Sequence, residues 1–228
     1  MPAYNEESTI EGIVKKIDAV NLEKIGVSKE LIIVDDGSKD RTVEIIKNLQ
    51  KVYNYINFVQ HKRNVGKGGA IKTAITNATG NVMIVQDADL EYDPRDYFKC
   101  ILPILTGKAK VVYGSRRLEK SNRQYSGLSY YIGGIGISVI FNLLFFTRLT
   151  DEPTCYKTFR SDVIRKIRID SNRFEWEPEV TAKIVKKGIR IREVPIRYYP
   201  RSKDEGKKIR WKDGIKAVLT MLKYRFVN

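Results

Sequence analysis

A short apolar run that stops in a cluster of acids, set within a repeating strand–loop–helix rhythm, constrains this 228-residue chain more than its composition does. Val82, Met83, Ile84 and Val85 show no polar alternation, as expected of a strand buried on both faces. The run ends in Asp87-Ala88-Asp89, with Glu91 and Asp93 close behind. At the end of an extended strand, Asp87, Asp89 and Glu91 would share one side. Carboxylates so placed repel one another unless a cation lies among them, and all-oxygen ligands favour Mg²⁺ or Mn²⁺. The same residues also read as a solvated acidic turn before a helix capped by Asp93-Pro94.

Around this stretch the pattern repeats. Ile10, Ile13, Val14, Ile17 and Val20 keep the spacing of one buried helix face. Glu30–Val34 reads as a strand running into Asp35-Asp36-Gly37-Ser38, a helix follows from about Asp40 to Val52, and Ile56–Val59 is a further strand. Asn64–Ala70 is a glycine-rich turn that opens a helix to about Ala78. The rhythm predicts an α/β fold with a mostly parallel sheet flanked by helices. Ligands of such sheets bind beyond the carboxyl ends of the strands. Three polar clusters fall at that edge: Tyr4-Asn5-Glu6, Asp35-Asp36 and Asp87-Ala88-Asp89.

The glycine-rich turn is neither a P-loop nor a dinucleotide fingerprint, since its spacing and its place after the third element are wrong for both. Two readings stay open. It presents backbone N–H groups and Lys67 to an anion, or it lets a small-residue helix pack closely on the sheet. Arg116 and Arg117, after a strand at Lys110–Tyr113, suit phosphate recognition or a solvated surface. Residues 127–147 carry no charge, but Gly133, Gly134, Gly136, Ser138 and Asn142 dilute them. They read as an interfacial helix, a buried helix or a span. Ile189–Tyr199 alternates like a strand, and acids and Pro178 suit the first turn of a helix at Glu177 and Glu179. A final helix, Trp211–Phe226, puts Ile215, Val218, Leu219 and Leu222 on one face, fit for docking on the domain or lying on an anionic membrane.

The net charge of +15 is uneven: residues 1–156 carry 21 Lys/Arg against 18 Asp/Glu, whereas 157–228 carry 21 against 9. The basic third calls for an anionic partner. Nucleic acid is excluded as that partner, because no RNA or DNA motif is interleaved with the charge and the acidic strand end would repel a phosphate backbone. Mean hydropathy of −0.36 excludes a multi-span membrane protein. Two cysteines and no signal peptide point to a reducing, cytoplasmic setting.

Four signatures, in order, carry a resemblance: Pro2-Ala3-Tyr4-Asn5-Glu6, Val34-Asp35-Asp36-Gly37-Ser38, Asp87-Ala88-Asp89, and Glu205-Gly206-Lys207-Lys208 before Trp211-Lys212-Asp213-Gly214. The chain resembles glycosyltransferase family 2, with the GT-A fold, and within it the dolichyl-phosphate mannose and glucose synthases. The resemblance covers nearly the whole chain. It implies one GT-A domain over 1–228, with a nucleotide-sugar half at 1–116 and an acceptor- and membrane-facing half at 117–228. It implies that Pro2, Ala3, Tyr4, Asn5 and Glu6, with Val34, Asp36 and Lys67, contact the nucleotide sugar. Asp87 and Ala88 would line the donor site, and Asp89 and Glu91 would hold Mg²⁺ or Mn²⁺. Arg116, Arg201 and Lys207 would bind donor or acceptor phosphate, so Asp87, Asp89 and Arg116 are the expected catalytic set. The implied reaction is inverting transfer of a hexose from GDP-mannose or a UDP-sugar to dolichyl or polyprenyl phosphate. It would occur peripherally at the cytoplasmic membrane face, with an anchoring subunit a further expected partner.

Two departures shape these expectations. Family members run a strand into the Pro-Ala-Tyr-Asn-Glu motif, and here only Met1 precedes it. The usual first strand is therefore expected to be missing, from a start assigned late. Mannose synthases resemble Arg-x-x-Gly-x-Ser-Lys in the late loop, whereas this chain has Arg201-Ser202-Lys203-Asp204-Glu205-Gly206-Lys207-Lys208, which leaves GDP and UDP both open. A related transferase with a hydroxyl acceptor would need a base, Glu177 or Glu179. A nucleotide-binding regulatory domain would need none.

Overall fold

The computed structural model describes residues 1–122, 128–201 and 211–227. Two hydrogen-bonded sheets carry the fold. The first is wholly parallel and runs β1 (Pro2–Ala3), β2 (Leu31–Asp35), β3 (Ile56–Gln60). The second runs β4 (Val82–Ile84), β6 (Lys157–Arg160), β5 (Val111–Ser115), β7 (Ile191–Pro195). In it β5 and β7 are parallel, and β6 lies antiparallel between β4 and β5. The expected parallel α/β frame is thus present, with one reversed strand.

All five residues of β2 are buried, as a central parallel strand requires. The first strand is short rather than absent. Pro2 and Ala3 pair with Val34 and Asp35, and the Met1 amino group donates to the Ile32 carbonyl at 2.7 Å. Helices α1 (Ile10–Asp18), α2 (Thr42–Val52), α3 (Lys67–Asn77) and α4 (Tyr97–Leu105) connect the strands. Ile10, Ile13, Val14 and Ile17 of α1 are buried on the anticipated face. One hydrophobic core runs beneath both sheets, from Met1 and Ile33 to Tyr113, Phe159 and Trp176.

The later helices are α5 (Leu128–Phe145), α6 (Ser161–Ile164), α7 (Trp176–Lys186) and α8 (Trp211–Phe226). Within the uncharged 127–147 stretch, Leu128–Phe145 is the two-faced helix α5. Phe141 and Phe145 pack with Met221 and Tyr224 in a second core, while Ile132, Val139, Leu143 and the adjoining Phe146 face outward. No helix among the described residues is long and apolar enough to cross a membrane. Of the two readings of α8's apolar face, docking on the domain is not the one observed. Met221 and Tyr224 are buried, whereas Ile215, Leu219 and Leu222 are exposed together with Trp211 and Phe226. An apolar stripe at helical spacing marks a face without saying what covers it.

Candidate active site

The acidic stretch converges by a loop rather than by strand pleat. β4 ends at Ile84, and Leu90 adopts a left-handed backbone with φ of 64°, so Asp87, Asp89 and Glu91 lie on a turning segment. Asp93 accepts from the Arg95 amide at 2.9 Å and caps the next turn, as its place before Pro94 predicts.

Asp87 and Asp89 have separate partners. Lys67, at the start of α3, donates to Asp87 Oδ2 and Glu177 Oε1, each at 3.0 Å. Burial alone would raise the Asp87 carboxyl, but the Lys67 ammonium, with the Cys155 thiol and the amino terminus, holds the group below its ordinary value. Burial would likewise lower the Lys67 ammonium, but Asp87 and Glu177 raise it well above the usual range. Lys67 therefore serves two carboxylates of its own chain.

Asp89 faces Arg201 at 3.1 Å. The same guanidinium reaches Glu6 at 3.4 Å, and the Arg201 amide donates to Glu91 Oε1 at 2.9 Å. Tyr198 donates its hydroxyl to the other Glu91 oxygen at 3.0 Å. Burial first, then Asp87 and Glu91, push the Asp89 carboxyl up to about 7 despite Arg201. The cluster thus retains an excess of negative charge. Among the described residues no group of three His, Cys, Asp or Glu stands close enough to enclose a metal. The donor chemistry nevertheless fits a hard divalent cation at Asp89, a carboxylate crowded by Asp87 and Glu91, although its Oδ1 accepts from the Glu91 amide at 3.2 Å and its Oδ2 from Arg201. Glu91, expected as the second ligand, has both oxygens engaged.

Asp36 supplies the least anticipated contact. Its carboxylate accepts from the Val65 and Gly66 amides at 2.9 and 2.7 Å and meets His61 Nδ1 at 2.8 Å, while His61 Nε2 meets Thr73 at 2.9 Å. The N–H groups of the glycine-rich turn do hold an anion, and that anion is internal. Close packing holds as well. Gly66 has φ of 105°, and a Cβ on Gly68 would come within 2.6 Å of the Ser171 carbonyl. His61, which reads as a surface residue in the sequence, is a half-buried strut.

Beside this strut lies a groove of about 770 Å³, lined by Tyr4, Gly37, Ser38, Lys39 and residues 60–64. Asn5 shapes its rim with φ of 49°, its amide donating to Ser38 Oγ at 2.9 Å and its Oδ1 accepting from the Lys39 amide. Ala3, Val34 and Ala88 are buried in the core, and Val34 is held in the ladder between β1 and β3. Their side chains are turned into the core. Pro2 is half-buried in β1. Lys207 lies outside the described residues.

Arg116 donates to Asp151 through its amide, Nε and Nη2 at 2.9, 2.7 and 2.7 Å. Its guanidinium lies over the Tyr198 ring at 5.1 Å. This one-to-one pair neutralises the charge expected to face phosphate. Asp151, Tyr198 and Thr73 carry no local sequence signal, since each meets its partner only through the fold. Nor does the fully buried pair of Glu152 and Lys157, at 3.6 Å. Of the candidate bases, Glu179 accepts from the Asp170 and Ser171 amides at 2.7 Å and from Lys183, so it ties α7 to the preceding loop.

A strand-end acidic loop with a basic residue among its carboxylates and a groove in the same fold do not decide the family; the sequence as a whole does. Residues 1–168 match the model of glycosyl transferase family 2. The chain belongs to that family. This family 2 glycosyltransferase is 30% identical to a UDP-N-acetylglucosamine–dolichyl-phosphate N-acetylglucosaminyltransferase of Methanococcus voltae, over 86% of this chain and 83% of the relative. It is 23% identical to a dolichyl-phosphate beta-glucosyltransferase of Trichomonas vaginalis, over 98% and 71%. Its fold matches the crystal structure of Mycobacterium tuberculosis glucosyl-3-phosphoglycerate synthase in complex with Mn²⁺, UDP-glucose and glycerol 3-phosphate. There the TM-score is 0.72 and the identity 18%, covering 100% of this chain and 79% of that one.

Proposed function

We propose that this glycosyltransferase moves a hexose from a nucleotide sugar to a polyprenyl phosphate of the dolichyl type, with inversion, at the cytoplasmic face of a membrane. One observation carries the choice of acceptor. Each candidate base is already engaged: Glu177 by Lys67, Glu179 by two amides and Lys183, and His61 between Asp36 and Thr73. A hydroxyl acceptor needs a group to take its proton. A phosphate monoester, with a second pKa near 6, is largely ionised at neutral pH and attacks the anomeric carbon unaided. The names of the two dolichyl-phosphate relatives support the same class of acceptor.

The groove beside Tyr4 and His61 would seat the nucleoside, and Asp87 with its Lys67 partner would flank the sugar. Asp89 would hold Mg²⁺ or Mn²⁺, and Glu91 would join it only after Tyr198 and Arg201 release its oxygens. When bound, such a cation neutralises the diphosphate as it leaves. Arg201, already amid three carboxylates, would turn toward phosphate once those carboxylates are otherwise compensated. The name of the M. voltae relative makes a UDP-sugar the first donor to test.

The deciding experiment is a transfer assay with Mn²⁺, polyprenyl phosphate and a panel of UDP- and GDP-sugars. A lipid-linked product from one donor, lost with chelator and with Asp89→Asn, is the expected result. Donor hydrolysis without lipid product, or transfer to a free sugar hydroxyl, would overturn the acceptor assignment.

A further inference from the structure

The carboxyl ends of the strands hold the site, and a basic groove occupies the opposite end of the second sheet. Parallel pairing of β5 and β7 sets Val111 opposite Ile191, so Lys110 and Arg190 emerge side by side just before the two strands. The helices that lead into these strands, α4 and α7, are each followed by a glycine in left-handed conformation, Gly107 at 72° and Gly188 at 69°. The two loops therefore turn alike and enclose a groove of about 650 Å³.

Its charged lining is Lys108, Lys110, Lys187, Arg190 and Arg192, with Glu193 the one acid. The Glu193 carboxylate accepts from the Thr150 and Asp151 amides at 2.8 and 3.0 Å and is spent there. All five cations are exposed, and among the described residues none forms an ion pair. Elsewhere even well-exposed arginines do: Arg95 holds Asp93, Arg160 holds Asp162 and Arg168 holds Asp170. Five like charges left unpaired around one groove repel one another and favour an anionic occupant.

What adjoins the groove selects that occupant. Ile191, in its lining, also packs against the α5–α8 core. Lys186, beside Lys187, donates to the Val227 carbonyl just beyond α8 at 2.8 Å. At the same end Arg225 lies over the exposed Phe146 ring at 5.4 Å. Outward apolar residues stand at these ends of both helices, Leu143 of α5 with Phe146 just beyond it, and Leu222 and Phe226 of α8. Nucleic acid or an acidic peptide would satisfy the charge and leave the apolar residues wet. An anionic bilayer satisfies both.

We propose that this groove and the adjoining ends of α5 and α8 form a docking surface for an anionic bilayer, with lipid phosphodiester headgroups in the groove. The proposal stands apart from the lipid-phosphate reading of the active site, which lies beyond the opposite ends of these strands. Vesicle flotation tests it, using phosphatidylcholine vesicles with and without phosphatidylglycerol. The variants are Lys108→Glu/Arg190→Glu/Arg192→Glu and Leu143→Ser/Phe226→Ser, all at exposed positions. The wild-type chain is expected to float with the anionic vesicles, and each variant to bind them at least about tenfold more weakly. Calorimetric UDP binding should be unchanged.

Wild-type affinity for anionic vesicles in the charge-reversed variant would overturn the proposal, as would equal binding to both vesicle types. Saturable binding of inorganic phosphate or an oligonucleotide in the groove, without vesicle binding, would overturn it too. Transfer to a short-chain polyprenyl phosphate in detergent is read in parallel. Vesicle binding without such transfer removes the acceptor reading and leaves the docking surface. Transfer without vesicle binding does the reverse.

Discussion

Asp89 bears a charge its surroundings resist, so Asp89→Asn should stabilise the metal-free protein while destroying its use. Its side chain is 14% exposed, faces Asp87 and Glu91, and is raised to about 7. An unfolded aspartate titrates near 4. Because the folded value lies above the unfolded one, the native state resists ionisation, and the penalty grows as pH rises from about 4 to 7 and is complete above that. At pH 8 it is about 4 kcal/mol at most, and at pH 5 about 1.5 kcal/mol. Asparagine removes the charge and keeps an oxygen for Arg201. In chelator at pH 8 the variant should melt higher than the wild type by up to about 10 °C, and by clearly less at pH 5. Mn²⁺ should raise the wild-type midpoint and leave that of the variant unmoved. Scanning calorimetry at both pH values, with chelator and with Mn²⁺, provides the four comparisons. A variant no more stable than wild type at pH 8, or equally favoured at both pH values, would refute the claim that charge crowding sets the behaviour of Asp89.

Two further outcomes follow from packing. Gly68→Ala places a methyl 2.6 Å from the Ser171 carbonyl and 2.9 Å from Trp176 Cβ. Since backbone cannot step aside, it should cost about 1–3 kcal/mol in urea unfolding; a neutral result would mean that α3 and the 171–176 segment are not in contact as described. Lys157→Met strands the fully buried Glu152, whose carboxyl burial already pushes upward. A loss of about 3–5 kcal/mol is expected, with most of it recovered in Lys157→Met/Glu152→Leu. A double variant as unstable as the single would show that the ion pair is not the source.

The sequence was most legible where the physics is local. Helical spacing from Ile10 to Ile17, the apolar run of β2 and the acids after β4 each declare themselves within a few residues. What could not be read was pairing at a distance. Arg116 meets Asp151 over 35 positions, and Asp36 meets Gly66 over 30. Each residue alone looked ready for a ligand. Reversed β6 escaped notice for a similar reason, as antiparallel insertion between β4 and β5 is a property of the sheet and not of Lys157–Arg160. Alternation in Ile189–Tyr199 ran past the end of β7 at Pro195, because the segment beyond is held by Asp96 and Asn122 rather than by a ladder.

Arg201 also fixes when the site comes into being. It joins Glu6 across 195 positions and Glu91 across 110. At about 5–20 residues per second, a ribosome exposes Glu91 on the order of ten seconds before Arg201. Throughout that interval the nascent chain carries the acidic loop without the guanidinium that tempers it. The candidate pocket is therefore completed after both sheets, and the α5–α8 core only after that. A chain interrupted before Arg201 would keep both strand pairs of the first sheet and lack a finished site.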